Sequence, residues 1–94
     1  MDKEYMLYKL KQRLVELETQ YKQAVLGLDL NGKELKASYA LLLRAKIKRD
    51  IQILLLIEQL LITSKAVYIT NEDAIDGFMK LVEPRSKVNG NRSK

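Results

Sequence analysis

The chain contains neither cysteine nor histidine. Without cysteine it has no disulfide, no thiolate nucleophile and no cysteine-based zinc site. Without histidine it lacks the commonest metal ligand and the side chain best suited to proton transfer near neutral pH. We therefore expect a protein that is not an enzyme and that uses no metal, no cofactor and no small-molecule substrate. A cysteine-free chain is compatible with the reducing cytoplasm, which is the location we expect.

Long apolar runs are also missing. The longest spans twelve residues, 51–62, and is interrupted by Gln52, Glu58 and Gln59. A spanning helix needs ~20 apolar residues, so this run predicts a buried core helix. The charged start of the sequence does not resemble the apolar region of a signal peptide. We expect no membrane span and no secretion signal.

What the sequence does contain is a regular apolar stripe near its start, in a chain that is 47% hydrophobic. Its steps alternate between three and four residues, the spacing that keeps one side of a helix against a partner helix. The members of the stripe are Leu7, Leu10, Leu14, Leu17, Tyr21, Ala24 and Leu28. The pattern predicts a first helix over about residues 3–26, with Asp2 as N-cap and a glycine-containing turn over 27–32.

A second helix is predicted over about residues 33–65. The short turn favours an antiparallel hairpin, in which residue i of the first helix lies beside residue 61 − i, roughly, of the second. This register places Lys3 near Glu58. The second helix would then extend past the first and leave 60–62 and Val67 uncovered.

A short third helix is predicted over about residues 71–82. Ile75, Phe78, Met79 and Val82 follow the i, i+3, i+4, i+7 pattern, and Thr70 is the predicted N-cap. Residues 66–69 fit a helix end, a strand or a loop equally. Residues 84–94 are polar and basic and predict a disordered tail. The expected fold is therefore a single all-α domain over 1–83, a coiled-coil-like antiparallel hairpin with a third helix, completed by oligomerisation.

The second helix is apolar around most of its circumference, which is more than one partner helix covers. A short third helix would cover one flank and leave the opposite flank exposed. Exposed strips of this size mark interfaces, so we expect a small adaptor, chaperone or regulator that binds a second copy, as a homodimer, or a heterologous helical protein. The predicted partner-binding residues are Ile51, Leu55, Ile62, Leu60, Val67, Tyr5 and Tyr8.

Charge supports a second hypothesis, because the chain has a formal net charge of +5. Residues 32–50 hold six basic and two acidic side chains, and 84–94 hold four basic and none acidic. Such a distribution also suits contact with phosphates, as in a small nucleic-acid-binding regulator. The residues concerned are Lys33, Lys36, Arg44, Lys48, Arg49, Arg85, Lys87 and Arg92. A third alternative is a purely structural subunit of a homo-oligomer.

Overall fold

The computed structural model describes residues 1–83, which form three α-helices and no strand. α1 spans Lys3–Val25, α2 spans Ala37–Thr63 and α3 spans Glu72–Val82. α1 and α2 pack side by side along their length as a hairpin. The predicted helical hairpin with a short third helix is thereby confirmed. The predicted tail, 84–94, lies outside the described residues.

Side-chain caps define the starts of two helices. The Asp2 carboxylate accepts a hydrogen bond from the Tyr5 backbone N–H at 3.4 Å, as the sequence predicts for α1. In α3 the cap is Asn71, whose side-chain oxygen accepts from the Ala74 N–H at 3.0 Å. The prediction of Thr70 as this cap was wrong by one residue. Both side chains satisfy N–H groups that the helix itself leaves unpaired.

The turn between α1 and α2 is longer than predicted, and α2 begins at Ala37 instead of residue 33. The intervening backbone makes hydrogen bonds of its own: Leu28 pairs with Glu34 in an antiparallel bridge. Within it, the Asp29 carboxylate accepts from the backbone N–H groups of Asn31 at 2.8 Å and Lys33 at 2.9 Å. This closed turn competes with helix formation over the first predicted residues of α2.

Two features adapt the chain to this turn. Gly27 and Gly32 have φ angles of 79° and 83°, a region that side chains with a Cβ rarely adopt. The pKa of Asp29 is lowered from its ordinary value of 3.8, chiefly because the Lys33 N–H stabilises the ionised carboxylate, against a smaller opposing effect of desolvation. The turn is therefore held together best when Asp29 is charged.

The longer turn also shifts the register of the hairpin. The Lys3 Nζ donates to the carbonyl of Ser64 at 2.8 Å, so the start of α1 lies level with the end of α2. The predicted neighbour, Glu58, lies more than one turn earlier in α2. Because α1 reaches the end of α2, the predicted overhang of α2 is absent and Leu61 is buried; the other residues predicted to be uncovered, Leu60, Ile62 and Val67, are exposed.

Residues 66–69, whose conformation the sequence leaves open, are not helical and form a connection with a bend at Val67. Asp2 and Tyr68 form an antiparallel bridge. Around it, the Lys3 N–H donates to the Val67 carbonyl at 3.0 Å and the Ile69 N–H donates to the Met1 carbonyl at 2.8 Å. The Met1 nitrogen in turn donates to the Ile69 carbonyl. These bonds fasten the connection between α2 and α3 to the start of α1.

The core follows the predicted stripe only in part. Leu10 and Leu17 of the stripe are 0% and 2% exposed, and Leu54 of α2 is 0% exposed. The stripe residues Leu7, Leu14 and Tyr21 are half-buried and pack against this core. Two further residues of α1, Met6 and Arg13, are buried although they lie outside the stripe. They face the side on which α3 packs, where Phe78 and Val82 close the core.

Candidate protein-interaction surface

Buried residues recur every seven positions along both long helices, and their neighbours define the two faces of the hairpin. In α2 the buried positions are Ala40, Ile47, Leu54 and Leu61; in α1 they include Leu10, Leu17 and Ala24. A residue that follows a buried one lies about 100° further around the helix. Because the helices are antiparallel, the residues that follow buried positions lie on the same face of the hairpin in α1 and α2.

We call this surface the open face, because α3 lies on the opposite one. There, Leu81 of α3 lines the same cavity as Lys46 and Ile53 of α2. The open face has an outer row on each helix and a half-buried strip between the rows. The α1 row is Glu4, Lys11, Glu18 and Val25; the α2 row is Leu41, Lys48, Leu55 and Ile62; the central strip is Leu7, Leu14, Tyr21, Arg44, Ile51 and Glu58.

Three predicted partner-binding residues lie together on the open face. Leu55 and Ile62 are 45% and 56% exposed, and Ile51 is half-buried beside them. Leu14 of α1 faces the same side and extends the apolar surface across the hairpin, as do Leu7 and Tyr21. From the sequence, these α1 residues are predicted only as part of the hairpin interior. On a helical projection, these residues lie about 50° around α1 from the buried positions Leu10 and Leu17. This offset was the available signal that they also border an exposed surface.

Leu60 lies on the other side of α2. It is 68% exposed and lines an apolar groove of about 590 Å³ between the C-terminal half of α2 and α3. Ala74 and Gly77 of α3 line the same groove, and their small size keeps it open. Leu60 therefore belongs to a different surface from Leu55 and Ile62, and the prediction that these three residues share one contact surface was wrong in this respect.

The remaining predicted contact residues are dispersed. Val67 is 70% exposed in the connection between α2 and α3. Tyr5 and Tyr8 of α1 are 46% and 59% exposed, and the Tyr8 hydroxyl accepts a hydrogen bond from the Gln12 amide at 2.8 Å. Helical geometry turns Tyr8 away from the hairpin partner, so it does not extend the open face.

The basic residues proposed for nucleic-acid contact do not form one patch over residues 1–83. Lys33 lies in the turn, and Lys36 is the N-cap of α2, without a side-chain cap hydrogen bond. Arg44 and Lys48 share the open face, whereas Arg49 points about 100° away from Lys48. Arg85, Lys87 and Arg92 lie outside the described residues.

A charged cleft of about 580 Å³ lies on the face that carries α3. Arg13, Glu16, Lys46 and Asp50 contribute to its lining. Arg13 is 5% exposed; its Nη1 lies 2.9 Å from the Glu16 carboxylate, and its Nε has no hydrogen-bond partner among residues 1–83. Two cations and two carboxylates leave the cleft without a net formal charge, so it does not favour a ligand of either sign.

Within the described part of the chain, no group of three or more acidic side chains is placed to hold a metal ion. No helix in residues 1–83 has the length and apolar character needed to cross a bilayer. Comparisons of the chain with protein-family models, with curated proteins and with solved structures find no match.

Proposed function

We propose that the protein is a non-enzymatic interaction module that binds an α-helical protein surface through the open face of its hairpin. The observation that carries this proposal is the exposure of Leu41, Leu55 and Ile62 in one row of α2, at 57%, 45% and 56%. The row continues across the hairpin through half-buried Ile51 and Leu14. Lys48 separates Leu41 from the apolar patch that Leu55, Ile62 and Ile51 form towards the end of α2, and an exposed apolar patch on a small domain is typical of binding sites.

The shape of this surface favours a helical partner. Two parallel ridges, about 10 Å apart, enclose a strip of half-buried side chains, and a third helix packs well into such a groove. Leu55 and Ile62 are seven residues apart, the spacing at which an amphipathic helix presents its own apolar side chains, so such a helix matches them. The action would be stoichiometric binding, as in a small adaptor, chaperone or regulator.

Site-specific photo-crosslinking tests the proposal. A crosslinking side chain at position 55 is expected to give a discrete protein adduct in the cells from which the chain comes. The same side chain at position 15 is the matched control, because Val15 is 63% exposed on the outer side of α1. The substitution Ile62→Glu should reduce the adduct from position 55, whereas Val15→Glu should not, with circular dichroism showing that both variants remain helical. Equal labelling from both positions, or none from position 55, would refute the proposal.

Nucleic-acid binding stays a prediction with a simple test of its own. A salt-dependent shift of labelled DNA or RNA would support it, since phosphate contacts weaken steeply as salt rises. Absence of binding at low salt would dismiss it for this chain. The structural-subunit alternative differs from the adaptor proposal in that every adduct from position 55 would contain only copies of the chain.

A further inference from the structure

We propose that the apolar groove between α2 and α3 binds the hydrocarbon chain of a medium-chain fatty acid, whose carboxylate lies beside Lys3. The groove is separate from the open face, so this proposal does not depend on the proposed function. Four features of the groove support it: the composition of its lining, its length, the position of Lys3 and the presence of Gly77.

The lining of the groove suits a hydrocarbon chain. Within residues 1–83, ten residues line it, and nine of them have apolar side chains or are glycine. The tenth is Ser64, the C-cap of α2. The volume of about 590 Å³ lies within the ~300–1,000 Å³ that is usual for small-molecule sites. A polar ligand would lose its hydrogen bonds to water there and gain few in return, so an unsubstituted chain is favoured.

The length of the groove limits the size of that chain. On α2 the lining residues run from Ile57 to Ser64, and on α3 they run from Ala74 to Leu81. Seven residue steps of a helix correspond to ~10 Å. An extended chain advances ~1.2 Å per bond, so about eight bonds span the groove. Carbon atoms beyond this length would lie in water and add little to the binding.

Lys3 places a positive charge at one end of the groove. The Lys3 Nζ donates to the carbonyl of Ser64 at 2.8 Å, and Ser64 and Ile69 line the groove where the chain passes from α2 to α3. Leu81 marks the opposite end, because it also lines a cavity with Ile53, earlier in α2. A ligand with one anionic end and one apolar end therefore matches the groove in a single direction.

Neighbouring carboxylates do not block an anion at this end. Glu72 and Asp76 of α3 lie more than ~140° around the helix from the middle of its groove-lining side, and Asp73 lies ~90° from it. The Asp2 carboxylate is engaged as the cap of α1, where it accepts from the Tyr5 N–H. The groove-lining residues of α3 that define this side are Ala74, Gly77, Phe78 and Leu81.

Gly77 keeps the groove open to the disadvantage of α3. Glycine inside a helix is destabilising relative to alanine. Gly77 does not have a positive φ, and nothing lies within 4 Å of a Cβ placed on it. Neither backbone conformation nor close packing therefore requires glycine at this position. A long side chain here would enter the groove, so the space that the glycine leaves accounts for its presence.

Titration of the purified full chain with straight-chain acids tests the proposal. Octanoate is expected to shift the backbone amide NMR signals of Ala74 and Gly77, and not that of Leu55 on the open face. Each CH₂ added between hexanoate and octanoate should lower the Kd two- to fourfold, since a buried CH₂ contributes up to ~0.8 kcal/mol. From decanoate to dodecanoate the Kd should change little. A Kd that does not depend on chain length, one that keeps falling through dodecanoate, or no saturable binding at millimolar acid overturns the proposal.

A side chain added at position 77 should block the site. Gly77→Leu is expected to raise the Kd of octanoate about tenfold, because the leucine occupies the space of the hydrocarbon chain. Asp76→Leu is the matched control, since it adds the same side chain to the outer side of α3, and it should leave the Kd unchanged. Circular dichroism and urea unfolding show whether both variants remain folded. Equal effects of the two folded variants on the Kd would overturn the proposal.

The carboxylate is tested at Lys3. Lys3→Gln should raise the Kd of octanoate about threefold, the effect of one partly exposed charge pair, and leave the Kd of octanol unchanged. Lys11→Gln, on the open face of α1, is the control and should change neither constant. Octanol bound as tightly as octanoate by the wild type, or an equal loss of both ligands in Lys3→Gln, would overturn the assignment of an acid.

Discussion

Three consecutive leucines in α2 provide a direct test of the hairpin packing. Leu54 is 0% exposed, Leu55 is 45% exposed and Leu56 is 67% exposed. Replacement of each by alanine removes the same atoms from the same helix turn. Differences in the free energy of unfolding therefore report the environment of each side chain and not its chemistry.

The expected magnitudes follow from burial. A Leu→Ala change removes three carbon groups, worth ~2.4 kcal/mol when fully buried at ~0.8 kcal/mol each. At Leu54 the cavity left behind adds to this, so we expect a loss of ~3–4 kcal/mol. Leu55 is about half-buried and should lose ~1 kcal/mol, and Leu56 less, without a closed cavity. The loss at Leu54 is a large share of the whole free energy of unfolding of a small, marginally stable domain.

Urea unfolding followed by circular dichroism measures the three values, and equal m-values show that the comparison is valid. Repeating it at several protein concentrations separates hairpin packing from self-association. In a dimer the cost of Leu55→Ala grows with concentration, because the substitution then removes interface contacts as well. Equal losses at Leu54 and Leu55 in a monomer would refute the assignment of the two residues to core and open face.

Two further predictions concern two glycines, Gly77 within α3 and Gly27 in the turn after α1, and Asp29. Gly77→Ala should raise the free energy of unfolding by ~0.5–1 kcal/mol, since alanine favours the helix and nothing lies within 4 Å of the added Cβ. Gly27→Ala should lower the free energy of unfolding, because φ at Gly27 is 79°. Thermal melts in which Gly27→Ala is the more stable variant would contradict these backbone conformations. The pKa of Asp29 in the folded chain lies below its ordinary value of 3.8. The ionised carboxylate therefore stabilises the fold fully at pH values above 3.8, and this stabilisation is lost as the pH falls through the lower pKa of the folded state. The urea midpoint of the wild type should therefore exceed that of Asp29→Asn at neutral pH and approach it in acid; a constant difference between the two midpoints would argue against this role of the charge.

Local patterns in the sequence were sufficient to predict the number and type of the helices. Helix periodicity depends on side chains three and four positions apart, so α1 and the apolar side of α3 were visible without tertiary information. The Asp2 cap was visible for the same reason. The start of α2 was not visible in the sequence, because it is set by the bridge between Leu28 and Glu34, two residues that do not have helical spacing.

The candidate surface was only partly predictable. The flank of Ile51, Leu55 and Ile62 was predicted to stay exposed, and Leu81 of α3 lies on the opposite side of α2, beside Ile53. Helix spacing alone, however, fits α3 on either flank. Leu60 was nevertheless grouped with Ile62, because the predicted overhang of α2 left both uncovered, and the register of the hairpin depends on contacts between residues distant in sequence. Met6 and Arg13 were missed for the same reason, since each is buried by an element distant in sequence.

The sequence by itself determined that this is a helical hairpin with a third helix, because helical amphipathicity is written into residue spacing. It also determined that α2 is too apolar for one neighbour. Only the tertiary structure decided which flank of α2 stays uncovered. The closed turn at Asp29 sets the register of the hairpin, and the bonds between residues 1–3 and 67–69 hold the segment from which α3 begins. Both depend on contacts between residues whose spacing carries no periodic signal.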